Sequence, residues 1–313
     1  MQPLDEAQLA NPLRVVLVGT GTGVGKTHVA CALLAAWSAR AAVVGLKPIE
    51  TGVDVGSSGA RGLREWRAVQ GRERPGPERP RRGAKRRADD ALPRANASGA
   101  SDQEQLAMAA QMFHVKRPDA RHRGSASKRL ALDQPLRSLY AFPEPVSPHL
   151  AARDAGIRID LGQIDRWVSA HAAQITVIET AGGLFSPLGH GATNFDLLQA
   201  LRPDAAILVA PDRLGVLHEL TTTLALAAAR SGPALAVVLS APSKRDASTD
   251  RNADELAALG IARSIADFPR APFRAPATLE AARRVIGWIE RAASVAPSRS
   301  PTDESGSPDA TPE

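Results

Sequence analysis

The stretch Gly19-Thr20-Gly21-Thr22-Gly23-Val24-Gly25-Lys26-Thr27 has the residue types and spacing of a loop that holds phosphate. Alternate glycines let the backbone turn tightly and aim successive N–H groups inward. A concave row of amides at a helix N-terminus is a seat for phosphate oxygens. Lys26 supplies a point charge for the β- and γ-phosphates, and the Thr27 hydroxyl is a ligand for Mg²⁺. The loop is one residue longer than the common Gly-x-x-x-x-Gly-Lys-Thr form, because Thr20 stands six residues before Lys26 and Gly19 one further back.

Three further groups carry chemistry. Lys47 and Thr51 lie in Lys47-Pro48-Ile49-Glu50-Thr51-Gly52, just past a short apolar run. In open α/β sheets the carboxyl ends of strands are where ligands bind. Glu179 ends the run Ile175-Thr176-Val177-Ile178 and precedes Thr180-Ala181-Gly182-Gly183. That is where a phosphate-loop enzyme places a second carboxylate directed at Mg²⁺. The helix beginning after Gly215 offers the free amides of its first turn as a second anion site.

These groups need a parallel sheet to hold them. Residues 15–18 read as a buried strand before the loop, and the Ala/Leu-rich segment after it as a helix. Further strands are expected at residues 42–46, 175–178, 205–210 and 234–239, the last taken as the final clear strand. Pro48 is expected to stop further sheet pairing. Helices are expected at residues 160–172, 216–229 and 279–292, and Tyr140-Ala141-Phe142 as an extended segment leading to a helix after Pro148. The fold class is α/β: a mostly parallel sheet flanked by helices, a three-layer P-loop NTPase-like architecture.

Composition narrows the function further. One domain spanning residues 13–290 is expected, interrupted at residues 53–100 by an Arg/Pro/Gly-rich insertion that cannot bury a core and at residues 116–137 by a basic loop. Ser101 reads as an N-cap of an Ala-rich helix, with Asp102 complementing its dipole. Residues 294–313 read as a disordered tail. The chain carries a net charge of +6, yet residues 61–137 hold 19 Lys and Arg against 9 Asp and Glu. The basicity therefore belongs to one stretch, and the insertion at residues 53–100 within it lacks interleaved aromatics other than Trp66, which argues against nucleic acid. No apolar run approaches the roughly 20 residues that span a bilayer. The acidic start lacks a secretory pattern, and the single cysteine, Cys31, excludes a disulfide framework, so a cytoplasmic location is expected.

Taken in order, the phosphate loop, Lys47-Pro48-Ile49-Glu50-Thr51-Gly52, Ser101-Asp102, Tyr140-Ala141-Phe142, Pro145-Val146-Ser147-Pro148-His149, Glu179-Thr180-Ala181-Gly182-Gly183 and Leu214-Gly215 resemble the dethiobiotin synthetases. The resemblance covers residues 15–269 apart from the insertion. It implies an ATP-dependent ligase of biotin biosynthesis acting on 7,8-diaminopelargonic acid and CO₂ derived from bicarbonate, with Mg²⁺. A carbamate and then a carbamic-phosphoric anhydride are the implied intermediates. Catalysis would fall to Lys26 and Lys47. Nucleotide binding would fall to Thr22, Gly23, Val24, Gly25, Lys26, Thr27, His28, Ser240 and Pro269. The metal would be held by Thr27, Asp102 and Glu179, and the substrate by Lys47, Thr51, Ala181, Gly182, Val216, Leu217 and His218. The last three amides serve the other subunit of a homodimer in that family.

The chain departs from the family's pattern at three points. Gly21 stands where Asp is usual, no Asn follows the strand near Ser240-Ala241 to read adenine, and His218 replaces an Asn after Leu-Gly. The alternative reading is a partition or septum-site ATPase switch. Those proteins carry a second lysine early in the loop, where this chain has Thr20, Gly21 and Thr22, and they lack the Lys-Pro-x-x-Thr-Gly segment. A cobyrinate-type amidase is further away, because Cys31 has no glutaminase-like role available to it.

Overall fold

The computed structural model describes residues 12–53, 138–262 and 264–295. At its centre β1 (Leu13–Gly19) pairs in parallel with β5 (Ile175–Glu179) on one side and β8 (Ala205–Pro211) on the other. β2 (Val43–Leu46) lies outside β5. β9 (Leu235–Ser240) lies outside β8, and β10 (Ile265–Phe268) outside β9. The order is β10-β9-β8-β1-β5-β2, with every pair parallel. The central strands are near-continuous aliphatic runs because both faces of such a sheet are covered.

Alternation along β1 assigns the two faces. Val15 and Leu17 pack with Val29, Leu33 and Trp37 of α1 (Lys26–Trp37) and with Val285 and Ile289 of α7 (Pro276–Val295). Val16 and Val18 point into a second core on the opposite face. That core is built from α2 (Pro148–Asp154), α3 (Leu161–Ala170), α4 (Asn194–Leu201), α5 (Val216–Ala229) and α6 (Asn252–Ala258). Asp160 caps α3, its Oδ1 accepting from the Gln163 amide at 2.8 Å.

Register aligns the strand tips that matter. Leu17 sits opposite Glu179, and Gly19 opposite Val209. The chain leaving β1 is therefore flanked by the ends of β5 and β8, at the reversal in strand order where open α/β sheets bind their ligands.

Some elements depart from the sequence expectation. Pro48 does end pairing in the main sheet, but the chain pairs again at once: β3 (Ile49–Thr51) forms a small parallel sheet with β4 (Tyr140–Phe142). β10 follows the strand expected to be last, and its exposed Asp267 breaks the apolar run by which a buried strand is recognised. A hairpin of β6 (Pro187–Gly189) and β7 (Ala192–Thr193) leads into α4, where Thr193 and Asp196 form a capping box. The last helix runs to Val295 rather than residue 292. The expected insertion, the helix after Ser101, the basic loop at 116–137 and nearly all of the tail lie outside the described residues. No described helix is long and apolar enough to cross a membrane.

Trp37 joins α1 to α7. Its ring is fully buried, and its Nε1 donates to Glu290 Oε1 at 3.3 Å, a carboxylate that also pairs with Arg40. Trp37→Ala should lower unfolding free energy by about 3–5 kcal/mol in urea titration.

Candidate active site

The phosphate loop is shaped by contacts that tolerate no side chain at two glycines. Gly25 has φ of 100°, a left-handed conformation, and a Cβ there would lie 2.5 Å from Ser240 Oγ. A Cβ on Gly19 would lie 2.9 Å from Val24 Cγ2 and 3.0 Å from Lys26 Nζ. Lys26 is buried, and its Nζ donates to the Gly21 carbonyl at 2.8 Å, folding the lysine back over its own loop. Among the described residues no side chain caps α1, and no acid stands in its first turn, an arrangement suited to an anion. At Gly21 a Cβ would meet nothing closer than 3.8 Å, so the place of the family's Asp is sterically open.

Glu179 ties the loop to the rest of the site. It is only 1% exposed at the tip of β5. Its Oε1 accepts from Lys47 Nζ at 2.9 Å and from Thr27 Oγ1 at 3.0 Å. Two of the residues singled out from sequence thus converge on one oxygen of a third. Oε2 is buried, with no hydrogen-bond partner among the described residues. A buried carboxylate oxygen left without a donor is costly unless a ligand meets it. Together with the Thr27 hydroxyl it offers the hard oxygen donors that Mg²⁺ takes. Among the described residues no cluster of three or more His, Cys, Asp or Glu is gathered to hold a metal by itself. A cation here would complete its shell with phosphate and water oxygens. Asp102, the third expected ligand, lies outside the described residues.

The turn after Glu179 is laid against the phosphate loop. Leu184 N donates to the Gly19 carbonyl at 2.7 Å, and Thr180 N to the Leu17 carbonyl at 3.0 Å. Gly182 has φ of 79°, and a Cβ there would sit 3.8 Å from Thr22 Oγ1. Gly183 approaches still more closely: a Cβ would lie 2.9 Å from the Thr20 carbonyl. Asn194 holds this turn from behind. Fully buried at the start of α4, it donates through Nδ2 to the Ala181 carbonyl at 2.5 Å and the Gly183 carbonyl at 2.9 Å. In the sequence Asn194 is marked only as a polar residue following Thr193 at a helix start.

The edge beyond β9 brings the expected nucleotide-binding residues together. Ser240 lies against Gly25, and His28 Nε2 meets the Pro269 carbonyl at 3.0 Å. A carbonyl only accepts, so the imidazole carries its proton on Nε2. Burial holds His28 below its ordinary pKa, with the Arg270 charge acting in the same direction and the Pro269 hydrogen bond opposing. Its ring stands edge-on to Phe268, at 5.5 Å between centroids.

Thr51 ends β3, half-buried, four residues from Lys47. Val216, Leu217 and His218 form the first turn of α5, opened by Gly215 at φ of 94°. Among the described residues, the hydrogen bonds of these three stay within their own turn and helix. The next residue links their turn to the loop: Thr20 Oγ1 donates to Glu219 Oε2 at 3.2 Å.

A family profile described as an AAA domain matches residues 122–278. An ATP-dependent dethiobiotin synthetase of Nitrosospira multiformis is 31% identical over 221 residues, covering 68% of this chain and 70% of that protein. The synthetase of the same name from Caulobacter vibrioides is 30% identical over 229 residues, covering 72% and 78%. A ParA family ATPase structure from Chlorobium tepidum covers 88% of this chain and 98% of its own at 13% identity. Its TM-score of 0.43 is too low to support an argument about function.

Asn194→Ala strips two buried carbonyls of their donor and should cost about 2 kcal/mol or more of stability. Asn194→Asp, equal in size but without the donor, should cost at least as much in the same denaturant titration. Retention of wild-type stability by the Asp variant would show that the amide protons do not hold the turn.

Proposed function

The chain belongs to the ATP-dependent dethiobiotin synthetase family, and from that premise we propose that it closes the ureido ring of dethiobiotin from 7,8-diaminopelargonic acid, CO₂ and ATP. The observation that carries this reading is the meeting of Lys47 and Thr27 on the buried Glu179 carboxylate, one oxygen of which has no partner among the described residues. A phosphate loop alone would fit many enzymes. A second buried lysine beside the γ-phosphate position calls for an anionic acceptor as well as a nucleotide.

In this proposal one substrate amine attacks CO₂ and loses a proton to become a carbamate. A carbamate oxygen then displaces ADP from the γ-phosphorus, giving a mixed carbamic-phosphoric anhydride. The second amine attacks its carbonyl carbon, phosphate leaves, and the ring closes. The protein's task is to position these groups and to match the negative charge as it moves. Lys26 exchanges the Gly21 carbonyl for phosphate oxygens. Lys47 bridges the carbamate and the γ-phosphate, with Thr51 hydrogen-bonding beside it. Thr22, Gly23, Val24 and Gly25 offer backbone amides to the phosphates, while His28, Ser240 and Pro269 line the side facing the base. Ala181 and Gly182 present backbone to the diamine.

Mg²⁺ is proposed at Thr27 and Glu179, with Asp102 as a third ligand, where it would neutralise charge on the β- and γ-phosphates. A homodimer is proposed, with the Val216, Leu217 and His218 amides holding the substrate's distal carboxylate in the partner's site. Supporting it, Leu214 and Leu226 stand exposed at 73% and 46% at the start and along the length of α5, apolar surface that a second copy would cover. We also propose that residues 13–290 form one catalytic domain around the segments at 53–100 and 116–137, ahead of a tail at 294–313, and that the protein is cytoplasmic.

Incubation with the diamine, bicarbonate, Mg²⁺ and ATP should yield dethiobiotin detectable by mass. Lys47→Ala and Lys47→Gln should lower its rate by about a hundredfold or more. The Gln variant keeps a donor for Glu179 and separates chemistry from folding. No product with ATP, CTP or GTP from folded wild type would overturn the assignment.

A further inference from the structure

A negative charge stands next to the loop that must accept a nucleotide's phosphates. Glu219, in the first turn of α5, takes the Thr20 hydroxyl on Oε2 at 3.2 Å. Thr20 is the residue before Gly21, whose carbonyl holds Lys26. Alone, such a carboxylate would repel the incoming polyphosphate. Its other oxygen is met by Arg213, whose Nη2 lies 2.7 Å from Oε1.

Arg213 is held in place from two directions. Its Nη1 donates to the carbonyl of Leu214, its neighbour, at 3.3 Å. The Leu214 amide donates to Asp246 Oδ2 at 2.9 Å, pinning the Arg213–Gly215 turn to the loop that follows β9. That loop is anchored in turn on buried Asp212, which accepts from the Asp250 amide at 2.7 Å and from Asn252 Nδ2 at 2.6 Å. The chain of contacts from Asp212 to Thr20 thus fixes where the guanidinium sits.

We propose that Arg213 and Glu219 are positioning residues for nucleotide binding: Glu219 orients the phosphate loop through the Thr20 hydroxyl, and Arg213 cancels the charge that this contact brings to the loop. The inference rests on the nucleotide site proposed above and adds to it a pair that touches neither substrate nor metal. The pair is part-exposed, with side chains 47% and 30% accessible, so its direct worth to stability is small. Its effect falls on a polyanion, which amplifies a single uncompensated charge.

The test is titration of Mg²⁺ and the non-hydrolysable ATP analogue adenylyl imidodiphosphate into wild type, Arg213→Ala, Glu219→Gln and the double variant. Each is measured at low and high ionic strength. At low salt Arg213→Ala should weaken binding about fivefold, and at high salt the gap should close to within about twofold as the charge is screened. Adding Glu219→Gln to Arg213→Ala should restore affinity to within about twofold of wild type at both salts. Undiminished affinity in Arg213→Ala overturns the inference. A loss that persists in the double variant, or that ignores salt, overturns it too, because it marks a purely structural role. No binding by wild type overturns the nucleotide site, and the inference with it.

Discussion

A carboxylate buried at the tip of a central strand must find donors, and the site is arranged around how Glu179 finds them. One oxygen takes Lys47 from just past the end of β2 and Thr27 from the first turn of α1. Both cost free energy to bury alone and are stable together, so removing any one member leaves an uncompensated group in a dry place. The second oxygen has no partner among the described residues. That atom turns a structural ion pair into a candidate ligand site, because its desolvation is answered only when something binds.

The parallel sheet makes this convergence possible. Register sets Leu17 opposite Glu179 and Leu46 opposite Ile178, so the chain emerges from β1, β5 and β2 at one edge within reach of a lysine side chain. Close approach does the remainder. Gly19, Gly25 and Gly183 let the phosphate loop, Ser240 and the turn after Glu179 pack so closely that a single methyl group would collide at 2.5–2.9 Å. Asn194 sets the far wall by tying two carbonyls of the turn after Glu179 to one amide.

Much of this was legible in the sequence. Glycine spacing followed by Lys-Thr announces a phosphate loop because few backbones permit that turn. Aliphatic runs ending in Glu179 and before Lys47 place both residues at strand tips, and residues 216–229 are helical as expected. What stayed hidden depends on distant partners. β10 is four residues long with an exposed aspartate, so its identity as a strand comes from β9 beside it. The pairing of β3 with β4 joins segments about 90 residues apart, which no local pattern encodes. Asn194 and Glu219 look like ordinary helix-start residues until the loops they touch are in place.

The account turns on Glu179 meeting both the lysine of an anionic acceptor and the metal of the nucleotide. Its most direct test is the Mg²⁺ dependence of ATP-analogue affinity in wild type and Glu179→Gln, with folding monitored by near-ultraviolet circular dichroism. The account predicts that Mg²⁺ tightens binding by wild type about tenfold or more and has little effect on the folded variant, which keeps a carbonyl oxygen but loses the charge. An equal Mg²⁺ effect in both proteins would contradict it, leaving Glu179 as a partner for Lys47 and nothing more.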